Sequence, residues 1–217
     1  FRRPDRRRTL GQAPATAVRV SNRYAEWHPK MGVYDFTCFD REAEMFRRGC
    51  PDAYFFWDLS IYPAPDFMTK YPGEMASDET GDISPVGRFS WSFASQRGLA
   101  EMKDIVEKAI TYLENSPYAN RIIGYRVNSG VTIEWLGWEA KPGQVRDFSE
   151  PNKAAFRAFA AERYPALADP HVPGHAERFA TDGGEILWDQ QKHLNAVAYM
   201  DYNSWIIQRD ILEVCGR

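Results

Sequence analysis

The chain has 217 residues, 44% hydrophobic and 26% charged, with 15 Gly and 14 Pro. This is the composition of one globular domain and excludes collagen-like, coiled-coil and disordered classes. Its 27 basic and 30 acidic residues leave a net charge of −3, so the whole chain is not a nucleic-acid binder by electrostatics, and no apolar run is long enough to span a bilayer. Two features stand out: 13 Phe, 11 Tyr and 7 Trp, and a chain that opens on Phe1.

Residues 1–14 carry FRRPDRRRT, five Arg without an apolar core. They read as a solvated, poorly ordered end and not as a secretory signal, which leaves the compartment open with the cytoplasm slightly favoured. Residues 15–217 form the domain. Thr16–Val20 predicts a short strand and Cys38–Arg48 a short helix. Ala53–Leu59 (AYFFWDL) is an almost unbroken apolar run, which predicts a strand buried on both faces of a parallel sheet. Ser60–Ser90 is a long connection rich in Pro, Gly and Asp, a length that usually carries function. SFAS (Ser92–Ser95) marks a helix start. Leu99, Met102, Val106, Ala109 and Leu113 then step by three and four residues, an amphipathic helix. Arg121–Val127 is the third strand, and Pro151–Tyr164 is a helix that begins near Ser149 or Glu150. Asp189 reads as the N-cap of a last helix reaching about Val214.

Strands alternating with helices predict right-handed βαβ units around a parallel sheet. The long, polar, aromatic-rich connections follow strands and the shorter ones follow helices. That asymmetry sets a working face at the carboxyl ends of the strands. A doubly wound sheet would share it. Neither GxGxxG nor GxxxxGK[ST] follows a strand, which favours the barrel over a nucleotide-binding sheet.

The candidate chemistry lies on those loops. Arg19 stands near the end of the first strand, Asp58 and Tyr62 at the end of the second, and Asn128, Glu134, Trp135 and Trp138 after the third. Aromatic faces stack on the C–H faces of a sugar while carboxylates and amides take its hydroxyls. Glu134 lies in IEWLGW; a carboxyl against tryptophan is desolvated and suited to donating a proton. Its other reading is an exposed loop glutamate. Asp58 sits inside an apolar run, where it caps a loop, pairs with an arginine or contacts substrate. Arg19 reads equally as a strand-edge surface residue. GxSxG is absent. Cys38, Cys50 and Cys215 read as reduced thiols, since no CxxC or zinc spacing occurs. His171 and His175 are four apart, but Pro170, Pro173 and Gly174 deny them a shared helix.

A resemblance sharpens these readings. YAEWHPKMGVYDFTCFD (Tyr24–Asp40) resembles the segment after the second strand of β-galactosidase-like glycoside hydrolases, where a Trp precedes a Pro and Gly-x-Tyr-Asp-Phe opens a helix. VRV (Val18–Val20) matches the second strand, and IYPAPDF (Ile61–Phe67) the loop after the third. YANRIIGYRVNSGVTIEW (Tyr118–Trp135) is similar to the fourth strand of a family-42-like branch, and DGGEILWDQQKHLNAVAYMDYNSW (Asp182–Trp205) to its fourth helix. The resemblance runs from about Ala15 to Arg217. It implies a partial (β/α)₈ barrel, about strands two to four with their helices. It further implies Glu134 as the general acid/base, Arg19 as support for the catalytic carboxylates, and retaining hydrolysis of a β-glycosidic bond. In the family Asn directly precedes the acid/base Glu; here Ser129–Ile133 separate Asn128 from Glu134.

Trp135, Trp138 and Tyr62 are then sugar platforms, with Asn128 and Asp58 as hydroxyl contacts. Neither cofactor nor metal is implied. The nucleophile in this clan lies on the seventh strand, so the expectation is a fragment inactive alone, whose open sheet edges favour a homo-oligomer or a complementing chain. Its partners are a carbohydrate substrate, with no nucleic acid and no membrane. Two other readings stand beside it. One is a non-catalytic carbohydrate-binding or scaffold protein. The other is a metal-dependent barrel hydrolase using His28, His171 or His175.

Overall fold

The computed structural model describes residues 17–21, 24–83, 90–129, 135, 142–179 and 192–216. The arginine-rich end, residues 1–14, lies outside them. Three strands alternate with helices in the predicted order. Strand β1 (Ala17–Ser21) is followed by a short helix α1 (Tyr24–Trp27), then α2 (Thr37–Gly49) and β2 (Tyr54–Ile61). The long connection after β2 is partly structured. It holds α3 (Pro65–Lys70) and a 3₁₀ turn (Pro72–Glu74), and Met75 pairs with Trp91 across it. Then come α4 (Gln96–Glu114), β3 (Ile122–Ser129), α5 (Glu150–Arg163), a four-residue α6 (His175–Arg178) and α7 (Leu194–Cys215). Helix α7 begins after His193, five residues beyond the predicted cap, and Asp189 is outside the described residues.

The sheet is parallel, in the order β1-β2-β3. Because strand side chains alternate in direction, one face carries Val18, Val20, Phe55, Trp57, Leu59 and Ile61. All are buried in one core with Phe39 and Ala43 of α2 and Met102, Ile105 and Ala109 of α4. Helices therefore cover this face. Serine caps fix two of the helix starts: Ser95 Oγ accepts Gly98 N–H at 2.8 Å, and Ser149 Oγ accepts Asn152 N–H at 3.4 Å.

The other face carries Arg19, Phe56, Asp58, Ser60, Gly124, Arg126 and Asn128. The strand register sets them in layers: Arg19, Phe56 and Gly124; then Asp58 and Arg126; then Ser60 and Asn128. Such layering is how side chains fill a barrel interior. Gly124 belongs to it by size, because a Cβ there would meet the Phe56 ring at 3.1 Å. The expectation that β2 is buried on both faces is corrected. Tyr54 is 49% and Phe56 37% exposed, since among the described residues helices cover only one side of the sheet. A second, smaller core joins α5 and α7 through Phe156, Ala160, Tyr199, Tyr202 and Ile206.

Candidate functional site

Asp58 is the centre of the polar cluster on the interior face. Its carboxyl is 2% exposed, which in an apolar strand demands full pairing. Arg19 supplies it from β1: Nε donates to Oδ2 at 2.7 Å, and the terminal guanidinium NH₂ donates to the same oxygen. From β3, Asn128 Nδ2 donates to Oδ1, and Arg126 Nε stands 3.9 Å from that oxygen. Asn128 is also 2% exposed, whereas the side chains of Arg19 and Arg126 are 50% and 38% exposed. Of the sequence readings of Asp58, pairing with an arginine is the one seen. Its pairing also fixes the heads of Arg19 and Asn128. Arg126 was not singled out from sequence, although it stands two residues before Asn128 and so shares its face.

Above this layer stand the loops that leave the strands. Tyr62, just beyond β2, is half-buried against the main core. Trp135 is half-buried between the two cores; its indole donates to Val127 O at 3.0 Å and its ring stacks on Phe93 at 6.3 Å. Trp135 is thus anchored to β3 by its N–H, and its ring is packed against protein, Phe93 included. Glu134 and Trp138 lie outside the described residues.

The loops after β2 and β3 are laced together. Phe148 N–H donates to Ser77 O at 2.9 Å, and the backbones of Asp78 and Arg146 form an antiparallel bridge. The Asp147 carboxylate accepts Ser77 N–H at 3.2 Å and Ser149 N–H at 2.8 Å, and burial pushes its pKa up despite those bonds. Asn152 then ties the lacing to α7. Its Nδ2 donates to Asp147 O at 2.6 Å and to Tyr199 Oη at 3.0 Å, and its Oδ1 accepts Tyr202 O–H at 2.8 Å. Apart from Ser149, none of these residues carried a signal in the sequence, because the contacts join segments some 50 to 70 residues apart.

The three histidines considered as metal ligands are dispersed. His28, directly after α1, is buried and stacks on Tyr34 at 4.9 Å. His171 bonds Glu177 at 3.0 Å, and His175 packs on Phe179 at 4.6 Å. Among the described residues, no group of three His, Cys, Asp or Glu side chains could hold a metal ion.

No protein-family model and no curated protein matches the sequence. Solved structures do match the fold. The β-galactosidase of the Antarctic haloarchaeon Halorubrum lacusprofundi superimposes with a TM-score of 0.63 at 17% identity, over 96% of this chain and 32% of that one. The β-galactosidase of Bacillus circulans sp. alkalophilus gives 0.57 at 15% identity, over 96% and 30%. A catalytic mutant of a GH42 β-galactosidase from G. stearothermophilus gives 0.56 at 14%, again over 96% and 30%. The chain has the fold of part of a GH42 β-galactosidase barrel. It spans about a third of the length of those enzymes. Its three parallel strands and covering helices are accordingly a partial (β/α)₈ barrel, and the face carrying Asp58 is the barrel interior.

Proposed function

We propose that this chain is the part of a glycoside hydrolase that supplies the general acid/base, acting on a β-glycosidic bond of galactoside type with retention. The observation that carries this reading is the buried Arg19–Asp58–Asn128 network on the interior face of a barrel segment shared with β-galactosidases. Active sites of such barrels form at the carboxyl ends of the strands. Trp135, anchored to β3, and Tyr62, at the end of β2, border the same end, the arrangement that sugar stacking needs.

In this reading Glu134 protonates the glycosidic oxygen as the bond to the leaving group breaks. It then takes a proton from water as the covalent glycosyl intermediate is hydrolysed. Such a group contributes about 10²–10⁴ in rate. Arg19, held by Asp58, presents its exposed edge to the interior, where it stabilises the carboxylate that attacks the sugar. That second carboxylate must stand about 5–5.5 Å from the acid/base. Asp58 is unsuited to the task, because both its oxygens are already engaged by Arg19 and Asn128. The nucleophile therefore comes from a strand that completes the barrel, and this polypeptide alone hydrolyses little or nothing.

Hydrolysis of an aryl β-galactoside by the purified chain, compared with Glu134→Gln, tests the reading. Turnover close to background is expected in both. Turnover by the chain alone that disappears in Glu134→Gln would sink the incompleteness claim and keep the acid/base. Turnover unaffected by Glu134→Gln would remove Glu134 from the mechanism.

A further inference from the structure

Three segments distant in sequence meet around the first turns of α4. Glu101, on α4, accepts the Trp91 indole N–H at 2.7 Å and lies against the backbone N–H of Ala64, in the loop after β2. From that loop Asp66 faces it and accepts Met31 N–H at 2.9 Å. From the loop after β1, Tyr34 donates its hydroxyl to Asp104 at 2.6 Å, and its ring stacks on the buried His28. Asp104, one turn along α4 from Glu101, has Lys108 at 3.9 Å. Arg97 at the start of α4 faces Glu74 at 3.7 Å. The groups facing Glu101 are thus Asp66 and Asp104, with Tyr34 and His28 completing the cluster.

We propose that Glu101 and its neighbours form a proton-operated clasp that fastens the loops following β1 and β2 to α4. The clasp closes when Glu101 holds its proton. Only then does the cluster bring Asp66, Asp104 and Glu101 together without three adjacent negative charges. Burial pushes the Glu101 carboxyl up to about 7, with the Asp66 and Asp104 charges adding to the rise against the bonds from Trp91 and Ala64. His28 does not compensate, since burial takes it down to about 4 in spite of Asp104 and Asp66, and it is neutral where Glu101 titrates. As pH rises through neutrality the third charge appears. The charged Glu101 is the better acceptor for Trp91 and Ala64, but its desolvation and the Asp66 and Asp104 charges outweigh that gain, and the hold on Ala64, Met31 and Trp91 slackens together. Tyr62 leaves the barrel two residues before Ala64, so the clasp also governs the rim of the interior face. It is independent of whether that face handles sugar.

Nitrogen-15 spectra of the folded chain from about pH 5.5 to 8.5 test this, with the Trp91 indole signal assigned by Trp91→Phe. The indole N–H of Trp91 and the amides of Ala64 and Met31 are expected to shift together with one midpoint near 7. The transition is lost in Glu101→Gln. It moves to lower pH in Asp66→Asn, because removing a like charge eases ionisation. A flat Trp91 signal, a transition that survives Glu101→Gln, or a Trp91 transition not shared by Ala64 and Met31 overturns the clasp. If Glu101→Gln fails to fold, Asp66→Asn decides alone, and an unmoved midpoint overturns it.

Discussion

Asp58 shows how little of a buried charge's role is written in its own position. An aspartate within an apolar strand announces that a partner exists. The partners come from strands 39 residues before and 70 residues after it, and only the parallel register brings them to successive layers of one face. Replacing Asp58 with Asn leaves two guanidiniums and an amide converging on a neutral group. We expect a loss of about 2 kcal/mol in urea unfolding, below the full value for breaking a buried pair because both arginines are partly exposed. Asp210 on α7 behaves in the opposite sense. It is fully buried beside Arg209, at 2.6 Å, and burial raises its pKa from 3.8 to about 6. The folded state therefore binds this proton more tightly than the unfolded state. The stability it contributes is present at low pH and is lost as pH rises through about 6. Asp210→Asn is accordingly expected to melt higher than the parent chain at pH 7.5, with the difference closing toward pH 5; equal melting temperatures throughout would contradict the shift. Glu101 was illegible in the sequence. It falls outside the apolar stripe of α4, and its burial comes from loops that close over it.

At the scale of elements, local rules were most readable. The three–four stripe from Leu99 to Leu113 and the Ser95 start predict α4 within a residue or two of its observed bounds. Ser149 did the same for α5. The segment after β2 was harder, because α3 and the 3₁₀ turn are too short to show a helical period. Aromatic crowding explains an oddity in α4. Gly98 lies in the helix, where alanine has the better propensity, yet a Cβ there would meet the Trp91 side chain at 2.8–2.9 Å. Gly98→Ala is expected to destabilise by about 1–3 kcal/mol through overpacking, and to disturb Trp91 fluorescence. A stabilised Gly98→Ala would show that Trp91 yields. Ser95→Ala removes the cap bond and is expected to cost about 1 kcal/mol, measured in the same unfolding assay.

For the whole molecule, the parallel sheet followed from the alternation of elements. The length of the connections after the strands sets the end at which the proposed site lies. The packing of the interior face did not follow in this way, because a barrel interior is shared among strands and the described residues bring three of them. Among the described residues the outer edges of β1 and β3 have no strand partner. Beside β3 runs a groove of about 690 Å³ in which Val106, Ile110, Tyr125, Val127 and Val214 lie among Lys103, Glu107 and Thr111. Unpaired edges beside apolar surface favour association. The isolated chain is expected to show concentration-dependent oligomers by sedimentation velocity, which a complementing polypeptide would replace with a defined complex. The aromatic excess read at first from composition goes largely into the two cores, against which Tyr62 and Trp135 are half-buried where the loops leave β2 and β3; in the proposed reading these two also line the rim of the interior face. The central claim is that this rim is a sugar site. Calorimetric titration of the folded chain with a β-galactoside tests it most directly. The account predicts saturable binding that weakens at least about tenfold in Trp135→Ala. A folded chain that releases no heat with the galactoside, or binding indifferent to Trp135→Ala, would contradict it.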